Sequence, residues 1–357
     1  MKIAFLNIYN GVIDRGAETF VKEVAGRLAK WHEVSVFQSG EPTGKEIYKV
    51  EYLPVNWDWG QKGGAGRLMG FLFLDYWNRQ IFLFGLRAFT RILKKRYDIV
   101  IPVNGGWLPA LMRLFTWLYG GKMVITGQSG IGWDDINNLW CFPNVFIALS
   151  SKAEKWAKRT NPFVKTQYIP NGANLSLFKK EGSRFQLDLE RPIILCVGAL
   201  TPSKRIELAI KATAKLKNAS LLVVGDGSLR EELTSKGKRL LGNRFMLTKF
   251  PYADMPMVYR AADVFTIPSG RHYSFEIVLV EAMASGLPVI ANNDEIREEI
   301  VGDAGLLVDP GDTENYTRAL KTALDKNWED KPRKQAAKFD WDKIAKEYEN
   351  IFKSLIH

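Results

Sequence analysis

The chain has 357 residues, 46% hydrophobic and 25% charged, a composition that excludes a disordered chain and a length that calls for two cores of ordinary size. Its net charge is +11. All of that excess falls in residues 1–180, where 24 Lys and Arg stand against 13 Asp and Glu, while residues 181–357 are balanced.

Three histidines argue against a zinc site, and two distant cysteines, Cys141 and Cys196 in apolar strand-like runs, suit free thiols better than a disulfide framework. The start, MKIAFLNIYNG, lacks the apolar region of a signal peptide. No uncharged apolar run reaches membrane-spanning length. A cytoplasmic protein is expected, with a basic half that meets an anionic partner: nucleic acid, an acidic substrate or a membrane surface.

Residues 2–8 form an apolar run that predicts a buried strand. Asn10-Gly11 and Arg15-Gly16-Ala17-Glu18 follow as a turn, then a helix from about Ala17 to Lys30 with Phe20, Val21, Val24 and Leu28 on one face. His32–Phe37 is the second strand. This order opens a doubly wound sheet, in which ligands bind at the carboxyl ends of strands. Gly11 and Gly16 either let an acceptor approach the backbone or simply make the turn, since a full GxGxxG is absent.

Residues 67–96 interleave aromatics (Phe71, Phe73, Tyr76, Trp77, Phe82, Phe84, Phe89) with Arg79, Arg87, Arg91, Lys94, Lys95 and Arg96, and only Asp75 is acidic. The pattern fits an amphipathic helix in an anionic membrane interface. It equally fits two core helices with basic solvated ends, because Gly70 and Gly85 interrupt it. A nucleic-acid stripe is a third reading, but no recognition module accompanies it. Residues 97–103 and 122–126 are further strands that end in polar, Gly-rich loops at Asn104–Trp107 and Gly127–Gly130, where such a sheet places its site. A strand at 145–149, a helix from Ser150 to Arg159 and the run Tyr168–Gly172 close the first half.

The second half repeats this grammar: a strand at 192–197, a turn at 198–203, a helix opening at Lys204-Arg205 and running to about Leu216, and strands at 221–224, 245–248 and 262–268. The stretch Pro268–Ala291 reads as a polar turn, a helix from Phe275 to Ala284, and a stop at Gly286 and Pro288. Such a helix start presents backbone N–H groups and a positive dipole end that suit a phosphate. Glu281, about two turns in, is placed to accept hydrogen bonds from sugar hydroxyls. The plainer alternative is a surface helix followed by the buried strand 289–291. A last amphipathic helix runs from Trp341 to Leu355.

Six pieces in order resemble the GT-B glycosyltransferases, in particular retaining glycosyltransferase family 4 (glycosyl transferases group 1). They are Arg15–Glu18 with its helix, Ile169–Asn174 ending at Phe178, Gly198–Arg205, Val224–Gly227, Ala262–Phe265 and Glu281–Ala291. The resemblance implies an α/β fold of two doubly wound Rossmann-like domains facing across a cleft, residues 1–175 on the acceptor side and 176–340 on the nucleotide-sugar side, with 341–357 packing back on the first. It implies transfer of a hexose, with mannose the nearest match, from a nucleoside diphosphate sugar to a glycan or lipid-linked acceptor of the cell envelope, with retention, no cofactor and no bound metal.

The resemblance assigns Lys204, with Arg205, to the charge developing on the leaving diphosphate. Gly198, Gly225, Tyr273, Ser274, Phe275 and Glu276 line the donor, and Glu281 binds ribose. Gly11, Gly16 and Asn104 face the acceptor, and Gln128, on the same side, joins Lys204 and Arg205 as a catalytic residue. Three positions depart from the family pattern. Tyr273 stands eight before Glu281, where the family has a second glutamate that Glu276 is nearest to replacing; Ala199 stands for a phosphate arginine, and Gln128 for a histidine. Arg271 and His272 are the neighbouring charges that could compensate. The expectation is an active enzyme at the inner face of the cell membrane, touching anionic lipid through 67–96 and no nucleic acid. A catalytically degenerate nucleotide-sugar-binding protein and a nucleotide-sugar epimerase are the alternatives.

Overall fold

Parallel strands covered on both faces must be apolar along their whole length, and KIAFL, IVIP, VFIA, IILCV and SLLVV meet that condition. The computed structural model describes residues 1–58, 66–270 and 274–356. Two units emerge: Met1–Asn171 with Trp341–His357, and Gly172–Asp340.

The first unit runs β1 (Lys2–Leu6), α1 (Gly16–Leu28), β2 (Glu33–Gln38), β3 (Lys49–Tyr52), α2 (Gly66–Phe71), α3 (Tyr76–Lys95), β4 (Ile99–Pro102), α4 (Leu108–Tyr119), β5 (Lys122–Thr126), α5 (Trp133–Trp140), β6 (Val145–Ala148), α6 (Ser151–Thr160) and β7 (Thr166–Tyr168). Its strands are all parallel in the order β3-β2-β1-β4-β5-β6-β7. Phe5 lies opposite Val36 on one side and Ile101 on the other. The C-terminal helix, Trp341–Ile356, belongs to this unit. Its Trp341 and Tyr348 are fully buried, with ring centroids 6.3 and 5.5 Å from Phe20 of α1. Glu349 of the same helix accepts from Lys346 at 2.6 Å and Lys353 at 2.7 Å, and lies 3.1 Å from His32 Nε2.

The stretch 67–96 is two helices. Asp75 ends the first connection and caps α3 by accepting from the Trp77 and Asn78 amides. The stripe Ile81, Phe84, Ala88, Ile92 is buried, so the core-helix expectation holds for that face. Gly85, which the sequence marks as an interruption, serves packing instead: a Cβ there would lie 2.7 Å from Leu108 Cδ1 of α4. Cys141 is not in a strand; it ends α5, because the chain turns at Phe142 in a left-handed conformation (φ 51°).

The second unit runs β8 (Ile193–Val197), α7 (Ile206–Ala214), β9 (Ser220–Val224), α8 (Arg230–Leu241), β10 (Phe245–Thr248), α9 (Met255–Ala261), β11 (Val264–Ile267), α10 (Ile277–Ala284), β12 (Val289–Asn292), α11 (Glu295–Val301), β13 (Gly305–Val308), α12 (Thr313–Asp325) and α13 (Lys331–Ala336). Its sheet, β10-β9-β8-β11-β12-β13, is also wholly parallel. In each unit the strand order reverses once, at β1/β4 and at β8/β11, and such a reversal opens a crevice at the strands' carboxyl ends. The helix expected from Lys204 starts later, at Ile206, because Pro202–Lys204 form a tight 3-10 turn and Arg205 is left-handed (φ 50°). No helix among the described residues is long and apolar enough to cross a membrane.

Candidate active site

The loops after β8 and β11 flank the strand-order reversal of the second unit. Gly198 follows β8 directly, and its amide donates to Val224 O at 3.0 Å. Gly225 is required beside it: a Cβ there would fall 1.9 Å from the Gly198 carbonyl oxygen. The chain then turns through Pro202–Lys204, with Thr201 Oγ1 and Ser203 Oγ 3.1 Å apart. Arg205 donates to Pro268 O at 2.9 Å, and more distantly to Ser269 O and Asn292 Oδ1 at 3.4 Å each. The Gly270 amide returns a hydrogen bond to Ser203 O at 3.0 Å. Arg205 is therefore the anchor that laces the two loops together.

Lys204 is not a solvated lysine. It is only 9% exposed, and its Nζ donates to Glu276 Oε1 at 2.7 Å. Ser269 Oγ donates to the same oxygen at 2.7 Å. Glu276 Oε2 accepts from Arg297 Nη2 at 2.9 Å and Nε at 3.2 Å. Arg297, fully buried, also donates to Ser269 Oγ at 3.1 Å and pairs with Asp294 Oδ2 at 3.1 Å. Burial pushes the Glu276 carboxyl up, but Lys204 and Arg297 outweigh it and hold the group below the ordinary glutamate range.

Glu276 is the N-cap of α10 in extended conformation, and its carbonyl accepts from the Leu279 amide. The helix thus starts two residues later than the sequence suggests, which makes Glu281 its fifth residue. Glu281 is 5% exposed; Oε2 accepts from Tyr259 Oη at 2.9 Å and Oε1 from Tyr252 Oη at 3.2 Å. Each carboxylate oxygen has two lone pairs, so these bonds orient the group without exhausting it. Burial and the Glu281 charge push the Tyr259 phenol well above its ordinary value. Phe275 is buried against Phe339, centroids 5.6 Å apart, and Ser274 is half-buried. Ala199 is exposed. Tyr273, Arg271 and His272 lie outside the described residues.

The residues expected on the acceptor side gather at the carboxyl ends of β1, β4 and β5, three neighbouring strands of the first unit. Gly11 is left-handed (φ 79°), and the facing Gly40 comes so close that a Cβ on Gly40 would lie 2.3 Å from the Gly11 carbonyl carbon. Gly16 is the exposed first residue of α1. Asn104 Oδ1 accepts from the Ile8 amide at 2.9 Å and so ties the β4 loop to β1. Gln128 forms a reciprocal pair with Asn171, 2.9 and 3.3 Å, and donates to Thr126 Oγ1 at 3.0 Å.

Several partners leave no signal in the sequence. Arg297 looks like a solvated residue of a charged helix, and only the tertiary structure puts Glu276 against it. Tyr252 and Tyr259 are separated from Glu281 by 29 and 22 residues with no local pattern linking them. In the first unit Asp135, fully buried near Gly127, accepts from Asn138 Nδ2 at 2.9 Å. Burial pushes its carboxyl up to about 8, Asn138 opposing and Asp134 adding to that effect.

The glycosyl transferases group 1 family matches residues 191–326. The sulfoquinovosyl transferase SQD2 of Arabidopsis thaliana is 32% identical over 178 residues, 46% of this chain and 34% of its own length. The phosphatidyl-myo-inositol mannosyltransferase of Mycolicibacterium smegmatis is 27% identical over 221 residues, 58% of this chain and 57% of its own length. The chain thus spans between a third and three fifths of these relatives. HepE of Anabaena, solved with UDP-glucose, superimposes with a TM-score of 0.78 at 19% identity, over 99% of this chain and 100% of that one. Over residues 191–326 the chain is similar to the glycosyl transferases group 1, and the chain as a whole has the two-unit α/β fold of the GT-B glycosyltransferases.

Proposed function

We propose that the protein is a nucleotide-sugar-dependent hexosyltransferase that acts with retention on a glycan or lipid-linked acceptor of the cell envelope. The observation that carries this reading is the placement of Lys204: a nine-tenths buried ammonium, fixed by the laced loops at the β8/β11 reversal and 2.7 Å from the residue that caps α10. A leaving diphosphate needs fixed positive charge where its own charge develops. Lys204 and the amino end of α10 supply it, and Glu281, oriented by two tyrosines, is a rigid acceptor for ribose hydroxyls. Gln128, held by Asn171, takes the acceptor-side position where relatives of this fold are expected to carry a histidine. No cofactor or bound metal enters this scheme.

The sugar is a hexose, with mannose the first choice because the mycobacterial relative is named a mannosyltransferase. The mycobacterial relative's printed name points to a lipid acceptor, and the surface of the first unit supports a bilayer beside the protein. Leu83 and Leu86 of α3 and Leu114, Trp117 and Leu118 of α4 are 42–64% exposed. Arg113 lies 4.8 Å over the Trp117 ring, and α3 ends in Lys94 and Lys95. An apolar face bordered by cations suits an anionic lipid surface. The test is incubation with UDP-glucose, UDP-galactose, UDP-N-acetylglucosamine and GDP-mannose against polyprenyl-phosphate-linked and phosphatidylinositol acceptors, with NMR of the product's anomeric linkage. Transfer with an α linkage from an α donor is expected; inversion, or no transfer from any donor, contradicts the reading.

One observation favours a second reading, a nucleotide-sugar-binding protein without turnover: the Lys204 ammonium is already paired with Glu276. It predicts nucleotide binding with no product across the same panel.

A further inference from the structure

The charge around Lys204 differs from that of a bare phosphate-binding lysine. Two cations, Lys204 and Arg297, and two carboxylates, Glu276 and Asp294, form one buried cluster, so its net charge is zero. Glu276 is the member that joins both halves, since its two oxygens accept from Lys204 and Ser269 on one side and from Arg297 on the other. Arg297 keeps Asp294 and Ser269 as further partners. An anion that approaches Lys204 therefore meets a carboxylate within hydrogen-bond reach of the same ammonium.

That arrangement distinguishes anions by charge. The terminal phosphate of a free nucleoside diphosphate ionises a second time near pH 6. The sugar ester of the donor blocks that second ionisation, so donor and product differ by about one charge at neutral pH. Resting on the donor-site reading of Lys204, we propose that Glu276 is a specificity-determining residue that weakens the hold of the site on the more highly charged nucleoside diphosphate relative to the sugar nucleotide. Glu276 acts through Lys204 and through repulsion of the incoming anion. It thereby favours donor entry and product departure.

The experiment is calorimetric titration of UDP, UDP-glucose, GDP and GDP-mannose into the wild-type protein and the Glu276→Gln, Lys204→Met and double variants. Glu276→Gln is expected to tighten the free nucleoside diphosphate by about tenfold, the order set by removing one nearby like charge, and to tighten the sugar nucleotide less. The variant should also steepen the dependence on salt, and the gain should vanish when Lys204→Met is added. Because Asp294 and Ser269 still satisfy Arg297, Glu276→Gln is expected to fold. Should it not, Glu276→Asp keeps the charge for Arg297 while drawing it away from Lys204, and a smaller gain in the same direction is expected.

Equal or weaker binding of both ligands by Glu276→Gln, or by the Asp variant in its place, assigns Glu276 a structural role only and overturns this inference alone. Absence of nucleotide binding by the wild type and every variant overturns the donor-site reading with it.

Discussion

At Lys204 the buried pairing alters what its removal should do. A solvated lysine contributes little to stability, whereas Lys204→Met leaves Glu276, at 4% exposure, with one cationic partner fewer. A loss of about 1–3 kcal/mol is expected from such a partly unsatisfied buried group, measurable by urea denaturation, beside a loss of transfer that exceeds it. Unchanged stability would contradict the buried pairing. Asp135 makes a second prediction. Its folded carboxyl titrates near 8 against an ordinary value of 3.8, so the native state holds a proton that the unfolded chain releases. The stabilisation is complete below about pH 4 and declines as pH rises to about 8, by up to about 1.4 kcal/mol per unit. Melting curves from pH 5 to 8 should show this decline, and Asp135→Asn should flatten it. At this scale the sequence exposes residues embedded in local patterns, such as Gly198, Lys204 and Glu281. It hides Arg297, Tyr252 and Tyr259, whose partners lie across the fold and leave no periodic trace.

Among the elements, the alternation of apolar runs with amphipathic segments is enough to read two doubly wound sheets, because a parallel strand buried on both faces has no freedom to be polar. Boundaries are less legible where one backbone angle decides them. Arg205 in the left-handed region delays α7, and the extended Glu276 delays α10; neither residue type announces such a conformation. The stretch 67–96 shows a different limit, since its pattern fits a core helix and an interfacial one alike, and α3 has both a buried stripe and exposed leucines. The C-terminal helix offers a direct check on packing. Trp341, fully buried and close to Phe20, anchors that helix to α1. Trp341→Ala should destabilise the protein by about 3–5 kcal/mol, read by denaturant unfolding of the first unit; a cost below about 1 kcal/mol would refute that anchoring role.

For the whole molecule, the proposed membrane contact rests on the basic excess of residues 1–180 and the exposed apolar side chains of α3 and α4. Replacing Trp117 and Leu118 by Glu, together with Arg87 and Lys94 by Glu, should abolish sedimentation with phosphatidylglycerol vesicles while the fold persists by circular dichroism; full retention of binding would exclude that face. A nucleotide-sugar site on the second unit is open to test by thermal unfolding against UDP, GDP, ADP and their sugars. A ligand present at a hundred times its dissociation constant stabilises by about 2.7 kcal/mol. A rise in Tm is expected with one nucleotide family, lost in Glu281→Gln, which replaces the buried carboxylate oriented by Tyr252 and Tyr259. No rise with any nucleotide, or a rise that Glu281→Gln leaves intact, would contradict that site.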